Sequence, residues 1–204
     1  MDPAENHRRW AERSGEFSPD YYAELGPNEV SETLGDVLDH YVASDAEILE
    51  LGCGSGRHLA YLRDRGFGNL TGIDINDDSF DVMAEHYPAL AETGTFRVGP
   101  IEEFLPDVAD DAFDVVYSVE TLQHVHPDDE WVFEEVVRAT GDLLVTAENE
   151  GNSPRRGHEK AVSCVDDDFP LYHRDWKEVF SGLGTAQLLR DPGARDTVRV
   201  FRAV

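Results

Sequence analysis

The residues with the clearest chemical purpose are an acid and three glycines, Glu50-Leu51-Gly52-Cys53-Gly54-Ser55-Gly56, set after the apolar run from Ala46 to Leu49. They read as the end of a buried strand, a tight loop and the start of a helix. Glycine suits such a loop because it takes φ > 0 without strain and leaves no side chain between the peptide and a bound molecule. Glu50 has two readings: a carboxylate meeting a ligand's positive group, or a strand-end acid capping loop amides. About twenty residues on, Leu70-Thr71-Gly72-Ile73-Asp74-Ile75-Asn76 is an apolar strand that ends in an acid, and one carboxylate accepts hydrogen bonds from both hydroxyls of a ribose. Arg57 and His58 open the helix after the loop, with Arg57 in reach of a ligand carboxylate. A dinucleotide fingerprint needs glycines at its first, third and sixth positions, and the sixth here is Arg57, which weakens a hydride-transfer reading.

The order E-x-G-x-G-x-G resembles the first motif of the class I S-adenosylmethionine (SAM) dependent methyltransferases, and the resemblance extends over about residues 45–204. It implies that Glu50 meets the amino group of SAM, that Gly52, Gly54 and Gly56 pass under its methionine part, and that Asp74 holds the ribose with Ile75 beside the adenine. Many relatives place an acid after the third strand where this chain has Pro100, so the adenine contact falls to the Ile101 backbone or to Glu102. Ser118 and Val119, at the exit of the fourth strand, are expected to line the cofactor, with Leu122 and Val125 packed inward. His124 is the candidate catalytic residue, a base with an unperturbed pKa of about 6.5 if the acceptor must lose a proton; its other reading is packing. Acceptor contacts are expected from Tyr21, Tyr22, Glu148, Asn149, His158, Tyr172 and His173.

The fourth strand's exit lacks the Asn or Asp-Pro-Pro-aromatic segment that resembles enzymes methylating base amino groups, and no Pro-Cys pair suggests cytosine carbon methylation. No basic patch is present to track phosphates. The implied reaction is methyl transfer from SAM to an oxygen, nitrogen or sulfur atom of a small molecule, leaving S-adenosylhomocysteine (SAH). A SAM-binding protein without catalysis and an NAD-dependent oxidoreductase are the alternatives. His124, His126 and His173 have no metal-ligand spacing, so no metal is expected.

These residues need a scaffold, and from Ala46 onward apolar runs alternate with helix-like segments as in a βα chain with a parallel sheet. Strands are predicted near 47–51, 70–75, 95–98, 113–118, 142–147, 185–190 and 197–203, with helices at 57–65, 78–87, 102–105, 128–139 and 174–182. The connection at 191–196 is too short for a helical crossover, so the last two strands form an antiparallel hairpin. The expected fold is α/β: a Rossmann-like, seven-stranded, mostly parallel sheet with helices on both faces. Residues 1–44, carrying Trp10, Phe17, Tyr21 and Tyr22 and an amphipathic stretch from Val30 to Tyr41, read as a helical cap on a 45–204 domain.

The chain has 204 residues and a formal charge of -26, with two lysines beside fifteen arginines. That bias resembles proteins of halophilic archaea, whose carboxylated surfaces repel themselves until salt shortens the Debye length, to about 3 Å at 1 M. Asp77-Asp78, Asp110-Asp111, Asp128-Asp129 and Asp166-Asp167-Asp168 therefore read as solvated surface. No run approaches the ~18 apolar residues of a membrane span and the first residues lack a signal-peptide pattern, so the protein is expected in the cytoplasm. Cys53 and Cys164, with no paired spacing, read as reduced thiols.

Overall fold

The computed structural model describes residues 2–151, 162–165, 169–193 and 195–203. Three helices come first: α1 (Pro3–Ala11), α2 (Pro19–Leu25) and α3 (Glu29–Tyr41). Each starts on a polar side chain that satisfies free backbone N–H groups. Asp2 accepts from the Glu5 amide and Ser18 from the Tyr21 amide, each followed by a proline whose missing N–H costs nothing there. Asn28 and Ser31 form a reciprocal capping box on α3.

The alternating part follows as β1 (Glu47–Leu51), α4 (Arg57–Asp64), β2 (Asn69–Asp74), α5 (Asp78–His86), α6 (Pro88–Thr93), β3 (Thr95–Val98), α7 (Ile101–Phe104), β4 (Phe113–Val119), α8 (Val132–Ala139) and β5 (Thr140–Glu148). A small hairpin, β6 (Val162–Val165) and β7 (Phe169–Tyr172), then α9 (Trp176–Gly182), β8 (Ala186–Pro192) and β9 (Thr197–Arg202) complete it. The main sheet has the order β3-β2-β1-β4-β5-β9-β8, parallel from β3 to β5 and antiparallel at β9 and β8. This is the expected Rossmann-like α/β sheet with its closing hairpin.

Three elements differ from the sequence reading. The helix predicted at 78–87 is followed by a second one because Tyr87 leaves helical geometry (φ -129°, ψ 55°) and Pro88 starts α6 at its N-terminus. The predicted helix at 128–139 divides into a 3₁₀ turn at Pro127–Asp129 and α8. The segment from Glu148 to Leu171, which shows no period, contains β6 and the start of β7, each four residues long and so too short to carry a readable alternation.

Strand alternation sends side chains into two cores. Ile48, Tyr117, Val145 and Val200 pack on one face with Leu38 of α3 and Leu59 and Leu62 of α4. Leu49, Leu51, Val116, Leu144 and Phe201 pack on the other with Phe133 of α8 and Trp176 and Phe180 of α9. Strands covered on both faces explain the near-continuous apolar runs that made them legible. The strand order reverses between β1 and β4, so a crevice opens at their carboxyl ends, where open α/β sheets bind ligands. Among the described residues no helix is long and apolar enough to cross a membrane.

Candidate functional site

A cavity lies at that reversal and encloses about 1230 Å³ of non-atom space, its open mouth included. Its floor is the loop between β1 and α4. Gly52 has φ 69°, and a Cβ there would fall 2.1 Å from the Thr121 hydroxyl oxygen, so only glycine lets the loop meet the β4 exit. Gly54 (φ 51°) has nothing within 4 Å of the equivalent position and lines the cavity. Gly56 serves packing instead: its face meets Met83 and Leu90, and it is not part of the cavity wall. The Cys53 thiol is buried under this loop, which pushes its pKa well up, and it forms no disulfide.

Two carboxylates flank the floor. Glu50, 1% exposed, accepts from the Tyr117 hydroxyl at 2.9 Å. Burial holds its pKa well above the usual carboxylate range, against the pull of Tyr117 and of the Arg57 guanidinium. Asp74 ends β2 and ties the loop to it, accepting from the Gly54 amide (2.7 Å), the Asn76 amide (2.9 Å) and the Ser79 hydroxyl (3.2 Å). Burial still raises its pKa. A carboxylate has about four lone-pair sites, so Asp74 keeps acceptor capacity toward the cavity that it lines.

The walls come from four segments. Ile75, Pro100, Ile101 and Glu102 stand at the Asp74 end, and Val119, Glu120, Thr121 and His124 at the β4 exit. Asn6, His7, Trp10, Arg13, Phe17 and Tyr22 roof the space from α1, α2 and the segment between them. The roof is tied down at several points. Asn6 donates to the His124 carbonyl at 3.0 Å, Asn76 donates to the Arg13 carbonyl at 3.1 Å, and His7 pairs with Glu102 at 3.4 Å, which raises the His7 pKa. The Trp10 ring meets the His124 ring edge-on at 4.5 Å.

His124 is a single tautomer by geometry. Its Nδ1 lies 3.0 Å from the Pro170 carbonyl, so Nδ1 carries the hydrogen and Nε2 keeps its lone pair. Burial lowers its pKa to about 4, leaving the ring neutral near pH 7. The loop that carries it is held from below by Glu148, which is fully buried and accepts from the Ser118 hydroxyl (2.6 Å) and the Thr121, Leu122 and Gln123 amides (3.1–3.2 Å). Burial raises the Glu148 pKa to about 7 despite those four donors.

The structure therefore gathers Glu50, Gly52, Gly54, Asp74, Ile75, Ile101, Glu102, Val119, His124 and Tyr22 around one cavity. Ser118, Glu148, Asn149, Tyr21, Tyr172 and His173 do not line it. Ser118 and Glu148 satisfy each other beneath the loop, and the Asn149 amide donates to the Gln123 side chain at 2.8 Å. Tyr21 packs edge-on against Tyr22 at 5.3 Å. Tyr172 packs on His126, and the Nε2 of His173 is 2.7 Å from the Ser163 hydroxyl. His158 lies outside the described residues. Among those described, no three His, Cys, Asp or Glu side chains are gathered as a metal site would need.

Sequence reasoning missed Asn6, Arg13, Glu120 and Arg195, which reach the wall from distant segments. Glu120 is the one with a local signature, a non-glycine residue at φ 53°, but that is a property of the fold and leaves no mark in the sequence. Arg195 pairs with it at 3.2 Å, and burial together with Glu120 raises the pKa of neighbouring Asp196 to about 8.

Residues 49–142 match the family model described as a methyltransferase domain. The ubiquinone biosynthesis O-methyltransferase of Rickettsia bellii is 28% identical over 131 residues, 63% of this chain and 52% of that protein. The chain spans about half or less of the length of the curated relatives it matches. A geranyl diphosphate C-methyltransferase from Streptomyces coelicolor superposes with a TM-score of 0.70 at 13% identity over 100% of both chains. A 1,6-didemethyltoxoflavin-N1-methyltransferase from Burkholderia thailandensis, solved with SAH, gives 0.67 at 18% identity over 86% of this chain and 79% of that one. At such identities the likeness is one of fold. The glycine loop and the strand-end acids lie at or inside the region that is similar to a methyltransferase domain, and the fold around them is the one shared with these solved SAM-dependent methyltransferases.

Proposed function

We propose that this domain transfers the methyl group of SAM to an oxygen, nitrogen or sulfur atom of a small molecule and releases SAH. The observation that carries the reading is the pair of carboxylates, buried Glu50 and half-buried Asp74, at the ends of adjacent strands on either side of an open glycine loop. The fit to SAM rests on the donor set. Glu50 has no cationic partner among the described residues and would take the ammonium; Asp74 has acceptor capacity left for ribose hydroxyls. The buried Ser55 hydroxyl on the same wall has no hydrogen-bond partner among the described residues. Ile75 and Ile101 would flank the adenine, with the Ile101 backbone and Glu102 at its edge and Val119 toward the methionine.

Bound SAM supplies an activated sulfonium methyl, so the protein's part is chiefly alignment and exclusion of water. The roof from α1 and α2 would limit solvent access. Nε2 of His124 is the free base in the wall and would accept a proton from an acceptor that must lose one; an acceptor with a ready lone pair needs none. Tyr22 would be an acceptor contact, because it alone of the six expected ones that are described lines the cavity. The toxoflavin and geranyl diphosphate enzymes, both acting on small molecules by their names, support the acceptor class. Residues 1–44 would act as the cap of this domain. The acid-rich, lysine-poor composition supports a cytoplasm of high salt as its setting, and gives no surface suited to nucleic acid.

A second reading is a SAM-binding protein without turnover. It is favoured by the contacts of Asn6 and Trp10 on His124, which close the acceptor side. Turnover against a panel of phenols, amines and thiols separates the two. Catalysis predicts methylation of at least one class, retained SAH binding in His124→Ala, and a fall in that variant's turnover by roughly 10²-fold for an acceptor that loses a proton. Tight SAH binding with no methylated product from any class would select the second reading.

A further inference from the structure

Glu120 stands at the exit of β4, directly after Val119, with its backbone in the left-handed region (φ 53°) and its amide donating to the Ala147 carbonyl at 2.9 Å. That conformation is strained for a residue with a side chain, and residues held in it cluster at ligand sites. The Glu120 side chain is 18% exposed and lines the cavity; Arg195 pairs with it at 3.2 Å and the Tyr22 hydroxyl donates to it at 3.4 Å. Asp196, 11% exposed, is the second acid here. Its Oδ1 is buried with no hydrogen-bond partner among the described residues, 3.8 Å from Nε of Arg195. Burial and the nearby Glu120 raise the Asp196 pKa to about 8, so near pH 7 one proton stays on this pair.

Two acids against one half-exposed arginine leave this corner short of positive charge. The other guanidinium groups of the wall are held elsewhere. Arg13 lies over the Phe17 and Phe169 rings at 5.6 and 4.7 Å with Nε on the Glu16 carbonyl, and Arg57 donates to His58 under the Tyr22 ring. Close-set, desolvated acids oppose a further anion and favour a cation. Methyl transfer makes that difference matter. A neutral amine forms the N–C bond while the C–S bond breaks with its electron pair to sulfur, so the positive charge passes from sulfur to nitrogen and no proton moves in the step. A phenol or thiol reacts as its anion, which two adjacent acids oppose. Trp10 and Phe17 line the same space, and aromatic surface attracts a substituted ammonium.

We propose that Glu120, backed by Asp196, makes the acceptor an amine by meeting the positive charge that the nitrogen gains as the methyl arrives. This rests on the cavity being the SAM site, and it narrows the oxygen, nitrogen or sulfur acceptor of that reading to nitrogen. Arg195 is the cation with which the amine competes for Glu120.

Three SAM mimics test this with no acceptor in hand. In each, a nitrogen replaces the sulfonium sulfur and carries aminoethyl, propyl or carboxymethyl in place of the methyl, so that chiefly the charge beyond the methyl position differs. In calorimetry the wild type should bind the aminoethyl mimic about 10- to 100-fold more tightly than the propyl one, the range of a charge-assisted hydrogen bond in a desolvated site, and the carboxymethyl mimic least. Glu120→Gln should lose the preference for aminoethyl while SAH binds as before. Arg195→Ala, which removes the competing cation, should widen that preference. Turnover in the panel of phenols, amines and thiols should be confined to amines. Equal binding of the aminoethyl and propyl mimics by wild type, an undiminished preference in Glu120→Gln, a narrowed one in Arg195→Ala, or methylation of phenols or thiols but not amines overturns the proposal. Binding of neither SAH nor any mimic by wild type overturns instead the cofactor reading beneath it.

Discussion

Asp74 carries two duties that compete for the same oxygens. It holds the glycine loop through the Gly54 and Asn76 amides, and under the functional reading it also receives the ribose. Asp74→Asn keeps the shape but turns one oxygen into a donor facing donors, so both duties suffer. SAH affinity should fall at least tenfold, from hydrogen bonds to a charged group worth about 1.5–3 kcal/mol, with the far-ultraviolet circular dichroism unchanged. Calorimetry showing wild-type affinity would remove Asp74 from the ligand site. Glu50 and Asp74 were legible in the sequence because motif spacing and strand ends are local facts. Arg57 was legible as a position, but the Tyr22 ring over its guanidinium comes from α2 and was not.

At the scale of elements, the β4 exit loop is shaped by a residue thirty positions away in the sequence. Reading Glu148 as a contact for the acceptor was reasonable from its place after the fifth strand; in the fold it faces inward and collects the Thr121, Leu122 and Gln123 amides. Glu148→Gln should leave those donors short of acceptors at about 1–3 kcal/mol, lowering the melting temperature by roughly 2–10 °C for a domain of this size. Their amide exchange should quicken in the variant. An unchanged melting temperature and exchange pattern would mean that packing alone places the loop. The strands were readable because burial on both faces leaves long apolar runs, and the closing hairpin because six residues cannot hold a crossover. α6 was hidden by its continuity with α5, and β6 and β7 by their brevity and by the acids 166–168 that separate them in the sequence.

For the whole molecule, charge decides the conditions under which the fold is stable. His58 and His124 have lowered pKa values, so their contribution is present above about pH 6.5 and is lost as pH falls toward 4 and 3. Glu148 and Asp196 have raised values of about 7 and 8, so theirs is present at acid pH and lost as pH rises through those values. Between pH 8.5 and 6.5 the second pair changes most, and the raised values of His7, Glu50 and Asp74 act in the same direction. The ligand-free protein should therefore melt higher at pH 6.5 than at pH 8.5 in constant high salt; the reverse order would contradict these assignments. At fixed pH its melting temperature should rise with KCl as the charge of -26 is screened.

If the crevice between β1 and β4 holds SAM, titration calorimetry of SAM, SAH and NAD in about 2 M KCl, where surface repulsion is screened, reads it out without any acceptor. SAM and SAH should bind at micromolar or tighter affinity, and NAD should not bind. A folded protein that binds neither SAM nor SAH would mean that the crevice serves another ligand.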